Sequence, residues 1–107
     1  MSGCCQVTTT LPDQQTADRL AATLVGERLA ACAQVTGPVS STYWWQGRVE
    51  QSQEWYCHLK TTLTRFADLR QRVRQLHHYE LPELIAVPLI EGDQQYLRWI
   101  EESVRRE

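Results

Sequence analysis

The order of strands and helices in this sequence predicts an α+β fold of the ferredoxin-like type, βαββαβ with one extra C-terminal helix. Three observations carry the prediction. Two long β-rich runs meet at a Gln46-Gly47 turn, amphipathic helical segments stand on either side of them, and residues 4–10 and 83–88 are strand-like. Right-handed crossovers leave few other ways to connect this series in one antiparallel sheet.

The first helix follows directly from the first strand. Residues 4–10 form the predicted strand, and the helix runs from Gln14 to about residue 27, with Asp13 as its predicted N-cap. Its apolar positions recur at helical spacing: Ala17, Leu20, Ala21, Leu24 and Val25. The many small side chains favour close packing against a sheet.

Residues 33–62 form the predicted long β2–β3 hairpin, with a kink at Thr36-Gly37-Pro38 and a turn in which Gly47 supplies a positive φ. A two-residue loop predicts three cross-strand pairs: Trp45 with Arg48, Trp44 with Val49, and Tyr43 with Glu50. The arms exceed the usual strand length and leave backbone groups unpaired. We expect another copy of the same chain to cover them.

The second half of the chain repeats the helix–strand order and then adds a helix. Thr62 or Thr64 is the predicted cap of a helix that ends near His77. The continuous apolar run in residues 83–88 is typical of an interior strand. Asp93 is the predicted cap of the terminal helix. The buried side of the second helix is predicted from four positions: Phe66, Leu69, Val73 and Leu76.

Composition limits the function classes. The 107 residues make one domain, 1–107, and 11 basic against 13 acidic residues give a net charge of -2, which argues against a nucleic-acid-binding protein. No apolar run is long enough to cross a bilayer, so we expect a cytoplasmic protein. Four cysteines without C-x-x-C spacing predict no disulfide framework, and most of them should be small buried side chains.

Several strings occur together in this sequence. They are Leu29-Ala30-Ala31-Cys32, residues 43–50 (YWWQGRVE), residues 59–62 (LKTT), residues 77–84 (HHYELPEL), and Gly92-Asp93 followed by Tyr96 and residues 97–100 (LRWI). In this order they resemble the CutA family of divalent-cation tolerance proteins, and the resemblance covers nearly the whole chain. It implies ferredoxin-like subunits assembled as a homotrimer, similar in fold and assembly to the PII signalling proteins, with the hairpin completing a neighbour's sheet.

The resemblance also implies binding of copper(II) or other divalent metal ions, with His77 and His78 as candidate ligands. Imidazole is a common ligand for Cu(II) and Zn(II), and a loop can aim either ring into a cleft between subunits. The alternative is that both histidines only form hydrogen bonds. The family usually has proline where this chain has His78, and Thr9 stands where the family's metal description has a cysteine.

A second group of residues is predicted to line the cleft between subunits and to bind a small ligand there: Cys32, Trp44, Lys60, Tyr79 and Glu80. Each has an ordinary structural alternative. Cys32 is also typical of a packed thiol, and Lys60 can reach the surface or pair with a carboxylate such as Glu80. Trp44 is also typical of an interface anchor.

The sequence carries no G-x-S-x-G, H-E-x-x-H or P-loop motif, so we do not expect an enzyme. Two functional hypotheses remain open. One is a homotrimer that binds copper or another divalent cation and contributes to metal tolerance. The other is a PII-like sensor or scaffold whose clefts between subunits bind a small molecule or a protein partner.

Overall fold

Four antiparallel strands form one sheet in the order β2-β3-β1-β4 in the computed structural model, which describes residues 2–105. This architecture confirms the predicted βαββαβ order with an additional helix. The strands are Cys4–Leu11 (β1), Cys32–Trp45 (β2), Arg48–Thr62 (β3) and Leu84–Pro88 (β4). The helices are Gln14–Gly26 (α1), Phe66–Leu76 (α2) and Gln94–Ser103 (α3), with a short 3-10 helix at Leu63–Arg65.

One face of the sheet, the helix face, packs against α1 and α2. Alternation along the strands directs every second side chain to this face. Asp13 begins α1 as predicted, because its Oδ1 accepts a hydrogen bond from the Thr16 amide at 2.7 Å. The buried side chains of this core are Cys5, Val7, Leu11, Ala17, Leu20, Leu24, Leu29, Ala30, Cys57, Leu59, Leu69 and Val73.

The opposite face of the sheet, the open face, is covered only in part. Helix α3 packs over one end of it, where Ile100 and Val104 bury Cys4 and Ala31. Asp93 caps this helix as predicted, accepting from the amides of Gln95 and Tyr96. The rest of the open face is formed by polar side chains of β1 and β3 and by two exposed apolar side chains of β4.

The β2–β3 hairpin extends well beyond the sheet. β1 pairs with β3 only as far as Leu11 opposite Trp55, whereas β2 and β3 continue for seven pairs, from Val39 opposite Glu54 to Trp45 opposite Arg48. At about 3.3 Å per residue, this arm is roughly 20 Å long. The register confirms the predicted turn and the three predicted cross-strand pairs. The register shift between Thr36 and Val39 confirms the predicted kink.

Two sequence predictions are wrong. Neither Thr62 nor Thr64 caps α2: the 3-10 helix comes first, Arg65 occupies the N-cap position, and the two threonine hydroxyls bond each other at 3.1 Å. The strand β4 is an edge strand and β1 is interior. The apolar run of β4 therefore does not mean that both faces of this strand are covered. Ile85 and Val87 lie on the open face and are 52% and 53% accessible.

Among residues 2–105, none of the helices has the length and apolar character needed to span a membrane.

Candidate functional site

His77 ties the end of α2 to the end of β1. Helix α2 stops here, and His77 adopts extended backbone as its C-cap. The imidazole Nε2 lies 2.7 Å from the carbonyl oxygen of Thr10, and the amide of Tyr79 donates to Nδ1 at 3.1 Å. A carbonyl oxygen only accepts, so Nε2 carries the proton and Nδ1 is the acceptor. The ring is therefore neutral, and partial burial lowers the pKa of His77.

Tyr79 contacts His77 through its ring and Glu54 through its hydroxyl. Its ring lies against that of His77, with centroids 4.8 Å apart, and its hydroxyl donates to Glu54 Oε2 at 3.0 Å. Glu54 is buried, with 8% of its surface accessible. Burial first, and then the Glu54 carboxylate, raise the pKa of Tyr79, so the phenol stays protonated and donates. His77, Tyr79 and Glu54 form one connected unit, the His77 clamp.

The neighbouring loop residues are more open. His78 and Glu80 are both exposed, and neither forms a hydrogen bond among the described residues. Glu83 follows them, and its pKa is raised by partial burial and by the charge of Glu54, with His58 acting in the opposite direction. His78 is thus the one of the two candidate histidines whose ring is accessible.

Cys32 and Lys60 are brought together at the other end of the open face. They are directly opposite each other in the β2–β3 register. The Cys32 Sγ lies 3.7 Å from the Tyr96 hydroxyl, and Lys60 Nζ donates to Gln34 Oε1 at 3.1 Å. The bond to Cys32 raises the pKa of Tyr96. Both predicted residues are only partly buried, so this end of β2 presents a thiol, a phenol and an amine to its surroundings.

A single chain does not bring all the predicted cleft residues together. Trp44 is 75% exposed near the hairpin turn, five residues along β2 from Val39, which pairs with Glu54. Cys32 lies seven residues from Val39 on the other side, toward the start of β2. At about 3.3 Å per residue, roughly 40 Å of strand separates Trp44 from Cys32. A cleft that contains all five residues therefore needs more than one copy of the chain, and it stays a prediction.

The donor set of one chain does not make a complete metal site. Within residues 2–105, no three His, Cys, Asp or Glu side chains stand close enough to hold a metal ion together. Burial raises the pKa of the Cys4 and Cys5 thiols, and raises that of Cys57 to about 12. A thiol ligates metal as the thiolate, so these three cysteines are poor ligands. Their burial confirms the prediction that most cysteines are packed.

Sequence reasoning missed Glu54 and Tyr96 as partners of the candidate residues. Strand alternation does put Glu54 on the same face as Tyr56, His58 and Lys60. A carboxylate at a strand position on the same face as Tyr56 and His58 is a detectable signal. The contact with Tyr79 is not, because it joins a strand to a loop 25 residues later.

Comparison with known proteins agrees with this fold. A family model described as CutA1 divalent ion tolerance protein matches residues 5–103. The chain belongs to this family. The Divalent-cation tolerance protein CutA of Thermus thermophilus is 43% identical over 94 residues, covering 88% of this chain and 91% of that protein. The protein of the same name from Escherichia coli is 41% identical over 96 residues, covering 90% of this chain and 86% of its own length.

Solved structures of CutA1 proteins share the subunit architecture. The divalent cation tolerance protein Cut A1 from Thermus thermophilus superposes with a TM-score of 0.93 at 40% identity, over 95% of this chain and 99% of that one. CutA1 from Oryza sativa superposes with a TM-score of 0.93 at 34% identity, over 97% and 95%. The CutA1 fold, including the long hairpin, is therefore the framework on which the His77 clamp is built.

Proposed function

We propose that this CutA1 family member is a cytoplasmic homotrimer that binds divalent cations, copper(II) among them, where its copies meet, and so contributes to divalent-cation tolerance. The observation that carries the proposal is the projecting hairpin. Seven pairs of β2 and β3 have no third strand beside them among residues 2–105, and such an arm is stabilised when another chain lies along it.

The open face supports self-association as well. Ile85 and Val87 are more than half exposed in one subunit, and Trp44 and Val49 are 75% and 58% exposed on the arm. Ile85 and Val87 are neighbours on one face of β4, and Trp44 lies opposite Val49 on the arm. Exposed apolar side chains grouped in this way favour a protein–protein interface. Head-to-tail contacts that join an arm to a neighbour's open face close into a ring when the rotation between copies is suitable.

The incomplete donor set supports a cation site shared between copies. One chain offers the accessible imidazole of His78 and the half-buried thiol of Cys32, but in the described part of the chain neither belongs to a group of three His, Cys, Asp or Glu side chains. Cu(II) and Zn(II) are commonly held by imidazole with further donors. A ring brings donors of two copies to one seam, which is how a chain without a complete site can still bind a cation.

Two measurements test the proposal. Native mass spectrometry should give a particle of three subunits, each of 12.4 kDa, and a particle of one subunit would contradict the assembly. Calorimetric titration of the assembled protein with copper(II) should give saturable binding with an integral number of ions per trimer. Binding of a nucleotide without any affinity for copper(II) would instead favour the PII-like sensor.

A further inference from the structure

We infer that His77 is a structural histidine that positions the loop after α2 and does not ligate the cation. The inference concerns the same cation site as the proposed function and narrows its donors to the accessible ones. It starts from the two ring nitrogens. A metal ion takes a lone pair from an imidazole nitrogen, so at least one of the two nitrogens must be free of other partners.

The Nε2 contact alone would be compatible with a ligand. Metal-binding histidines commonly donate the N–H of one nitrogen to a backbone carbonyl, which orients the other nitrogen toward the metal. Here Nε2–H donates to the Thr10 carbonyl at 2.7 Å. That bond would leave Nδ1 as the ligating atom, so the state of Nδ1 decides the question.

Nδ1 is already occupied. Its lone pair accepts the Tyr79 amide at 3.1 Å, and a metal ion would have to displace this N–H. The displacement would leave a backbone donor unpaired in a partly buried place, which is unfavourable. His77 therefore satisfies two backbone groups, one on β1 and one in the loop, and has no lone pair to spare.

The contacts of Tyr79 make the displacement harder still. The amide that occupies Nδ1 belongs to a residue whose hydroxyl is bonded to the buried Glu54 at 3.0 Å and whose ring rests on the imidazole. Moving the Tyr79 backbone away from Nδ1 would also pull the phenol from Glu54, and a buried carboxylate would lose its donor. Displacing the Tyr79 amide from Nδ1 would therefore also break the Tyr79–Glu54 hydrogen bond.

The adjacent His78 has the opposite properties. It is exposed, and no hydrogen bond among the described residues engages its ring. Both nitrogens are available, so one of the two candidate histidines can reach a cation without breaking the fold. The pair His77 and His78 thus offers a matched comparison within two consecutive residues.

The test uses the full chain in its assembled state and zinc(II), a diamagnetic probe. Imidazole nitrogen resonances of wild-type protein are recorded by 15N-edited NMR before and after one equivalent of zinc(II) per subunit. We expect His77 to show a protonated Nε2 and an unprotonated Nδ1 in both spectra, without a change of chemical shift. His78 should shift or broaden. A zinc-dependent shift of His77 Nδ1 would overturn the inference.

Two variants give an independent readout. His78→Gln should weaken zinc(II) binding at least about tenfold, because loss of a group that only orients a ligand already costs roughly 10–100-fold, and should leave the denaturation midpoint unchanged. His77→Gln should lower the midpoint and leave the zinc(II) affinity of the folded protein within about twofold. The reverse pattern, with affinity lost in His77→Gln and retained in His78→Gln, would contradict the inference.

The wild-type spectrum keeps the test decisive if His77→Gln does not fold. Wild-type protein that takes up no zinc(II) or copper(II) would refute cation binding as the function. His77 would then still be found in its Nε2–H form, bonded to the backbone, and the structural role would stand. Failure of the proposed function and failure of this inference are therefore distinguishable.

Discussion

At the scale of single residues, two buried threonines with opposite hydrogen bonding give a direct test of the core. Thr9 and Thr61 are both fully buried on the helix face. Among residues 2–105 the Thr9 hydroxyl has no hydrogen-bond partner, whereas the Thr61 hydroxyl donates to the Leu29 carbonyl at 2.8 Å. Thr9→Val replaces an unsatisfied hydroxyl by a methyl group of the same shape. We expect the free energy of unfolding to rise by about 1 kcal/mol, measured by denaturant titration.

Thr61→Val is the matched control for that change. The same substitution here removes a donor and leaves the buried Leu29 carbonyl unpaired, so the free energy of unfolding should fall by about 1–3 kcal/mol. Equal effects of the two substitutions would show that the hydroxyl of Thr9 has a partner in solution.

His77 predicts a pH dependence of stability. Its pKa lies below the usual 6.5, chiefly because of burial, while the Thr10 carbonyl and Glu54 act in the opposite direction. A base with a lowered folded pKa binds fewer protons in the folded state than in the unfolded one. The free energy of unfolding should therefore fall as the pH drops below 6.5 toward the folded pKa of His77, and this loss is complete below that value.

Comparison with His77→Gln isolates this group from the carboxylates, which titrate in a neighbouring range. Denaturant titrations between about pH 7.5 and about pH 5.5 should show a steeper loss of stability in the wild type than in the variant. Parallel pH profiles would mean that His77 has the same pKa in the folded and unfolded chain.

At the scale of elements, the hairpin depends on a close contact at its kink. A Cβ atom added to Gly37 would lie 2.6 Å from Cγ of Trp55 and 2.8 Å from its Nε1, and would also clash with Cδ1. Gly37→Ala must shift the indole or the strand, and we expect it to lower the free energy of unfolding by about 1–3 kcal/mol. Thermal or denaturant unfolding measures the change.

Gly26→Ala provides the comparison, because a Cβ atom there meets no atom of the described residues within 4 Å. Alanine at the end of α1 should be neutral or stabilise by a few tenths of a kcal/mol, on the order expected from helix propensity. A Gly37→Ala variant as stable as Gly26→Ala would mean that Trp55 does not pack over the kink.

The elements themselves were predictable because local patterns determine them. Apolar spacing fixed α1 and α3, aspartates at Asp13 and Asp93 marked their starts, and Gly47 set the register of the hairpin. The start of α2 was not predictable in this way. A 3-10 turn stands where the threonine cap was expected. It begins at the end of β3, where the Leu63 amide donates to the carbonyl of Gly3, a residue far away in the sequence.

At the scale of the whole molecule, the sequence suggests candidate site residues but not the contacts that they make. Cys32 and Tyr79 were predicted to line a cleft, which stays a prediction, and their partners Tyr96 and Glu54 come from distant parts of the chain. The edge position of β4 was missed for a related reason. The apolar run of β4 is typical of a strand buried on both faces. Only the sheet order shows that β4 lies at the edge and that its residues on the open face are uncovered in a single chain.

That uncovered face yields a prediction about assembly. Ile85 is 52% exposed in a single subunit, so Ile85→Ser should change the fold of an isolated subunit little. If a second copy covers the open face, it buries the exposed half of this side chain, and the same change removes apolar burial worth about 1 kcal/mol at each seam. Sedimentation velocity should then show Ile85→Ser as smaller species at protein concentrations where the wild type forms the proposed trimer.

Val25→Ser is the matched control for that experiment, since it removes an exposed apolar side chain, 36% accessible, from α1 on the helix face. It should leave the sedimentation coefficient unchanged, because α1 lies on the side of the sheet away from the expected seam. Dissociation of both variants would point to general destabilisation. Dissociation of neither would mean that the arm alone holds the copies together, because the open face then contributes no apolar contact to the ring.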